Sequence, residues 1–460
     1  MRSNRRLLLV TLSLLLTPAV LLAHARLLRS TPAAGAHLSS SPRDIRLVFS
    51  EAPMAPVSRV FLIGPGSDTV RLSTLRTDSA DRHALVAEVP SVLDSGKYTL
   101  NWSTAASDGH ASNGAFTFTV VTRAKGVAGR ATTGPTVVAP VQTKTVKFRS
   151  RINNAVQFAL GAPMWMARWA GFIALFFLIG AVSFRYVILG RIPTAQRETD
   201  EVFQQIALTG AATTGLSAGM IMVVTSLLKL YGETVAMPGV PASTMLFSTS
   251  WGWAWVAQIS ACLLAIIAFA LAHNRARHSE SWALAAISAL TLAVTPALTG
   301  HAIGSDQAFI TVPLDIVHVL AGSAWLGTLA LILFVGIGSA AKTPGDISIG
   351  TRVATLVNAF SPLALFCGAA VVATGVAASL IHVQPISRLW KTTYGMTLIV
   401  KLALVSLLFS LGAWNWRRVK PNLGGDEGVI ALRFSAKLEL SASVLVLAVT
   451  AFLVALPLPD

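Results

Sequence analysis

The sequence is short of cysteine and short of charge. Only Cys262 and Cys367 occur in 460 residues, both inside apolar runs. That excludes a disulfide framework and any CxxC redox or zinc motif. A bound metal must take its ligands from His, carboxylate or Met. Charged residues make up 12% of the chain, against about 25% in a soluble domain. With 53% hydrophobic residues and a mean hydropathy of +0.65, the chain is neither a soluble globular enzyme nor a disordered one. No Gly-x-x-x-x-Gly-Lys-Ser/Thr run is present, so no phosphate-binding loop exists to couple ATP to transport. Acid is scarcer than base, 20 residues against 36. The excess sits beside apolar runs and does not interleave with aromatics, which argues against a nucleic-acid partner.

What is present begins with a secretory signal over residues 1–23. Arg2, Arg5 and Arg6 precede the apolar run Leu7 to Leu22, and the small Ala23 closes it. Cleavage after Ala23 leaves His24 as a free terminus. Cleavage after Ala25 uses the Ala23-His24-Ala25 pattern and removes that terminus. Both sites stay open at this point, and either way the following module is exported.

Residues 24–121 carry nine bases and eight acids, nearly neutral. Three stretches alternate: Ile45 to Phe49, Tyr98 to Trp102 and Phe116 to Val120. Period-2 alternation of β-branched and aromatic residues predicts half-buried strands. Turn signals at Ser41-Pro42, Gly64-Pro65-Gly66, Asp94-Ser95-Gly96 and Asp108-Gly109 separate them. The pattern is that of a small all-β sandwich. Residues 122–151 hold seven bases and no acid, lack periodicity, and read as a linker.

From residue 152 to 460 the chain reads as an all-α polytopic membrane bundle. Eight apolar spans are predicted, near 156–184, 203–230, 251–272, 281–299, 312–337, 353–381, 394–415 and 435–457. With the β-module outside, an even number of spans returns the C-terminus outside. Loops then assigned inside carry Arg185, Arg191, Arg275, Arg277, Lys342, Arg352, Arg417 and Arg418, the positive-inside pattern. This predicts a bacterial inner-membrane protein with both termini extracytoplasmic.

Several residues suit a metal ion. A free His24 offers an amine and an imidazole, a chelate fitted to the tetragonal N/O preference of Cu(II). The Asp108-Gly109-His110 turn can bring a carboxylate and a second imidazole to the same ion. Glu51, at the end of a strand, is a further oxygen donor. In the membrane half, His301 follows the fourth span, and Asp315 and His318 open the fifth at i and i+3, on one helix face. Ionisable residues in spans line pathways or cavities. The alternative for Asp315 is a helix N-cap. The pairs Met164/Met166 and Met220/Met222 stand at i and i+2, which do not share a face. They are read as packing residues.

The segments HARLLRSTPAAGAHLSSSPRDIRLVFSE and GKYTLNWSTAASDGHASNGAFTFTV resemble the CopC copper-binding domain. That resemblance covers residues 24–121. It implies a cupredoxin-like sandwich holding Cu(II) through the His24 amine and imidazole, Asp108 and His110, with Glu51 where some members have a ligand. It also favours cleavage after Ala23. The methionine-rich stretch of some members is missing, since Met54 is the only methionine of the module. The membrane half is similar to CopD through Gly300-His301-Ala302, through Asp315 to His318 with Ala324 to Gly327, and through Tyr394-Gly395 to Lys401. The fused order resembles YcnJ-type copper-uptake proteins.

The expectation is a copper-handling protein and no enzyme. The outer domain binds Cu(II) and passes copper to His301, Asp315 and His318 for import or tolerance. Cu(II) is expected in the outer domain, with Cu(I) as the candidate state in the membrane half. Expected partners are copper ions, the lipid bilayer, and an extracytoplasmic copper donor or reductase. An intramembrane haem or electron-transfer protein, with His301 and His318 as the axial pair, is the alternative.

Overall fold

A computed structural model describes residues 26–106, 111–121, 147–193, 200–237, 239–300, 307–383 and 385–456. The predicted signal (1–23) lies outside them, as does all but Val121 and the residues from Lys147 of the stretch 121–151. The chain divides into two compact units, residues 1–161 with Glu233–Thr249, and residues 162–232 with Ser250–Asp460.

The first unit is built on nine strands: β1 (Leu27–Thr31), β2 (His37–Leu38), β3 (Asp44–Phe49), β4 (Arg59–Ile63), β5 (Thr69–Val70), β6 (Arg76–Thr77), β7 (Ala84–Glu88), β8 (Gly96–Ala105) and β9 (Ala111–Val120). They form two sheets, ordered β1-β3-β7-β6 and β2-β9-β8-β4-β5. The predicted alternation decides which side chains face inward. On β3, Ile45, Leu47 and Phe49 are buried, while Asp44 is exposed. On β8, Tyr98, Leu100 and Trp102 turn in, and Phe118 and Val120 meet them from β9. Tyr98 stacks on its register partner Phe118, with ring centroids 5.6 Å apart. Trp102 meets Phe49 edge-on at 5.2 Å across the sandwich. Each such side chain contributes about 1.5–3 kcal/mol of burial, so the core is what fixes the strand register.

The same unit includes Glu233–Thr249, the connector between the second and third predicted spans. It turns at Gly239, where φ is +84°, a backbone conformation that favours glycine. It then forms the short helix α3 (Ala242–Phe247). Met237, Val240 and Met245 of this connector are buried together with Val57 and Ala105 of the β-domain, and Met54 packs against them.

The second unit is helical: α1 (Lys147–Ser183), α2 (Glu201–Ala236), α4 (Ser250–Asn274), α5 (Ser279–Leu298), α6 (Ala308–Leu331), α7 (Ile337–Lys342), α8 (Ile349–His382), α9 (Arg388–Lys391), α10 (Thr393–Trp414) and α11 (Asp426–Leu453). Among the described residues, eight helical stretches are long and apolar enough to cross a membrane, and they match the eight predicted spans in order. The largest boundary differences are at the first helix, which starts at Lys147 against the predicted 156, and at the last. The last starts at Asp426, ahead of the predicted 435, because Val429 and Leu432 already pack inward before Arg433 interrupts the apolar run. Three spans contain a π-helical turn, at Phe184–Ile188, Ile332–Gly336 and Asn415–Val419.

Close packing rests on small residues. A Cβ built on Gly327 of α6 would collide with the Phe176 carbonyl oxygen of α1, and one on Gly180 with the Gly327 carbonyl carbon. The two backbones therefore touch, as membrane helices do where glycine allows it. On another face, the indoles of Trp165 and Trp169 stack and donate to the carbonyls of Ala448 and Val444 on α11, each at 3.1 Å. A buried ion pair joins Asp200 to Arg352 through two bonds of 2.7 and 2.9 Å, and Arg352 also donates to the Thr343 carbonyl. Large apolar side chains such as Leu264, Ile267, Leu365 and Phe366 remain exposed on the spans, as surfaces facing lipid do.

Candidate metal sites

Of the outer ligand candidates, His24, Asp108 and His110 lie outside the described residues. Glu51 is described, half-buried in the turn just past β3. The described neighbours of all four converge on one end of the sandwich. The Arg26 N–H donates to Ser50 Oγ and the Ser50 N–H to the Arg26 carbonyl, both at 2.9 Å. Pro53 pairs with Ala106 in an isolated bridge. Ala105 pairs with Ala111 at the end of the β8–β9 hairpin. Position 24 is thus two residues from a contact with Ser50, and Asp108 is two residues from the contact with Pro53. Two residues of chain reach about 7 Å at most.

The Gly of the Asp-Gly-His-x-x-x-Gly pattern has a packing reason. Gly114 faces Trp102 in register, and a Cβ there would lie 2.7 Å from the indole. Glycine lets Trp102 lie flat on β9 while it closes the core beneath the hairpin end.

In the helical unit, His301 lies outside the described residues. Asp315 and His318 share one face of α6 as their spacing predicts. Asp315 stands two turns inside the helix, whose N-cap is Gln307, so the N-cap alternative for it does not hold. The His318 Nδ1 is 2.9 Å from Thr374 Oγ1 on α8. That hydroxyl is also 2.7 Å from the Ala370 carbonyl and 3.3 Å from the Val371 carbonyl, either of which can take its proton. Such an outer hydrogen bond orients a metal-binding imidazole.

Two residues of α10 complete the surroundings. Lys401 interacts electrostatically with both Asp315 and His318, and Tyr394 with Asp315. Tyr394 and Lys401 are seven residues apart, two helical turns, and so lie on one face. The cluster is a carboxylate, an imidazole, a phenol and an ammonium. The seven-residue spacing to Tyr394 was the available signal in the sequence. Glu439, buried on α11, accepts from Asn415 Nδ2 at 2.8 Å.

The remaining sulfur atoms behave as spacing suggests. Met222 is buried while Met220 is exposed, and Met166 is exposed while Met164 lies over Gly232, so neither pair shares a face. Cys262 and Cys367 are buried and unbonded to one another. Among the described residues, no group of three or more His, Cys, Asp or Glu comes together.

Comparison with known proteins agrees with this division. Residues 27–121 match the CopC domain family. Residues 159–308 match the copper resistance protein D-like N-terminal domain, and residues 354–453 match copper resistance protein D. Asp315 and His318 fall between the last two stretches, whereas Tyr394 and Lys401 fall inside the second. The chain is 23% identical over 419 residues to the copper transport protein CutJ of Bacillus subtilis, covering 90% of this chain and 71% of that protein. It is 33% identical over 119 residues to protein YobA of Escherichia coli, covering 26% of this chain and 95% of YobA. It is 26% identical over 313 residues to copper resistance protein D of Pseudomonas syringae, covering 66% of this chain and 95% of that protein. With a CopC domain followed by both parts of a CopD region on one polypeptide, the chain belongs to the CopC/CopD copper-resistance fusion family.

Proposed function

We propose that this multi-pass membrane protein captures Cu(II) at the open end of its β-domain and passes copper to the helical bundle. The observation that carries the reading is the convergence of Arg26, Ser50, Pro53, Ala106 and Ala111 at that end. The ligands assigned there are His24, through amine and imidazole, Asp108 and His110, with Glu51 as a further oxygen donor. Nitrogen and oxygen donors of this kind suit Cu(II). The assignment needs signal cleavage after Ala23, a domain over 24–121, a linker over 122–151, and a membrane domain from 152 to 460.

The receiving site is assigned to His301, Asp315 and His318. The imidazole of His318 and the carboxylate of Asp315 are its donors in the described residues. Lys401 competes with an arriving cation for Asp315, so binding there is weakened and release is favoured. The β-domain and the Glu233–Thr249 connector form one compact unit, which puts the loop between spans two and three on the side of the β-domain. The N-terminal domain is assigned to the extracytoplasmic side from the signal sequence and the distribution of Lys and Arg in the loops, and with eight spans the C-terminus shares that side. Import and tolerance draw on the same ligands. No reaction is assigned to the chain: the relatives carry the names of copper transport and copper resistance proteins.

Cellular copper tests the reading. Cells expressing the chain are compared with cells expressing an Asp315→Asn/His318→Ala variant at equal membrane abundance, by metal analysis. Expression is expected to change copper content, and the variant to return it to that of empty cells. Equal copper content with the chain and its variant would remove the transfer step. A Soret band in the purified chain would point instead to haem.

A further inference from the structure

Nine methionines occur in the sequence, and one, Met54, belongs to the β-module. The fold adds two more to its surroundings. Met237 and Met245, from the connector between the second and third spans, are buried in one cluster with Val57, Ala105 and Val240, and Met54 packs on that cluster. Met237 is 5% exposed and Met245 1%, while Met54 is half-buried at the margin. One thioether thus stands at an accessible edge and two stand behind it.

Each sulfur is held by an anchored backbone. The Met54 N–H donates to the Ala105 carbonyl at 2.8 Å, and the Met54 carbonyl accepts from Ser58 Oγ at 2.7 Å. Ser58 is itself 2.6 Å from the buried Thr104 hydroxyl. Met237 closes the end of α2 through its N–H to the Glu233 carbonyl, and Met245 sits mid-way along α3 with its N–H on the Pro241 carbonyl. Methionine side chains have three rotatable bonds, so sulfurs on fixed backbones can still converge on a small ion.

We propose that Met54, Met237 and Met245 form a thioether site for a soft monovalent ion, Cu(I), beside the Cu(II) end of the β-domain. The inference rests on the copper reading and adds a second donor class to it. Thioether sulfur selects Cu(I) over Cu(II). The apolar residues clustered with them, Val57, Ala105 and Val240, carry no donor that competes with the three sulfurs. Met54 is three residues from Glu51, and its backbone partner Ala105 is three residues from Asp108. The two sites are therefore neighbours along the chain, with hard donors on one side and soft donors on the other. The ion enters this site already as Cu(I), and no electron transfer is assigned to the residues. The connector and the β-domain belong to one compact unit, so the site lies within that unit.

The test uses the full chain in detergent micelles under anaerobic conditions. Cu(I) is titrated against a chromophoric Cu(I) chelator, and the bound copper is examined by X-ray absorption. Cu(II) binding is followed by EPR on the same preparations. The variants are Met54→Leu and the triple M54L/M237L/M245L, with leucine chosen to keep the volume. The expected result is sulfur-bound Cu(I) in the wild type, weakened tenfold or more by Met54→Leu, lost in the triple variant, and an unchanged Cu(II) spectrum in all three. Met54→Leu, at the margin of the cluster, keeps the test readable if the triple variant does not fold. Sulfur-bound Cu(I) that is indifferent to both variants overturns the proposal. So does a wild type that binds Cu(II) but shows no sulfur around Cu(I), and that outcome leaves the Cu(II) reading standing. A chain that takes up neither ion overturns both.

Discussion

Lys401 is the residue whose charge would most constrain the membrane site proposed at Asp315 and His318. It shares Asp315 with any arriving cation and also acts on His318. Lys401→Met is therefore expected to tighten copper binding at Asp315 and His318 by tenfold or more, read by chelator competition on the full chain. Unchanged affinity would mean that copper does not visit Asp315. Thr374→Val is expected to weaken binding several-fold, because it frees the ring that Thr374 orients. These relations were only partly legible in the sequence. The i, i+3 spacing put Asp315 and His318 on one face, but Thr374 and Lys401 arrive from other helices. Spacing within one span carries no information about which face of a neighbouring span it meets. The Asp-Gly-His pattern was legible as a motif, whereas the reason for Gly114 needed the opposing Trp102.

At the scale of elements, two contacts set how helices pack. Gly180 and Gly327 bring the backbones of α1 and α6 together, and the obstruction facing any added side chain is backbone. Gly327→Val is expected to destabilise the bundle by more than the 1–3 kcal/mol of ordinary overpacking, seen as a lower unfolding temperature in detergent. The Asp200–Arg352 pair is buried on both sides. Arg352→Met alone leaves a buried carboxylate without its partner and is expected to cost about 3–5 kcal/mol, while the double variant Asp200→Leu/Arg352→Met recovers most of it. Strands and spans themselves were readable, since alternation on β3, β8 and β9 and eight apolar runs are properties of local sequence. The last span began earlier than predicted because Val429 and Leu432 pack inward ahead of the charged Arg433, which interrupts the apolar run in sequence. The connector was not readable. Residues 233–249 look like an ordinary loop until Met237, Val240 and Met245 find Val57 and Ala105.

At the scale of the whole molecule, the topology is the property on which capture and transfer both depend. Val92 is 81% exposed on the β-domain, and Asp346 is exposed between α7 and α8. With Val92→Cys, an impermeant maleimide is expected to label intact cells. With Asp346→Cys, it is expected to label only after lysis. The native cysteines are buried and stay silent. Labelling of Asp346→Cys in intact cells would invert the topology.

Cu(II) capture at the free terminus is most directly tested by titrating the full chain with Cu(II) and recording EPR. One preparation begins at His24 as a true N-terminus, and its control begins at Arg26. One tight, nitrogen-rich Cu(II) per chain in the first preparation, lost in the control and in His110→Ala, is the expected result. Binding indifferent to the terminus, or no tight Cu(II) at all, would contradict capture by His24, Asp108 and His110.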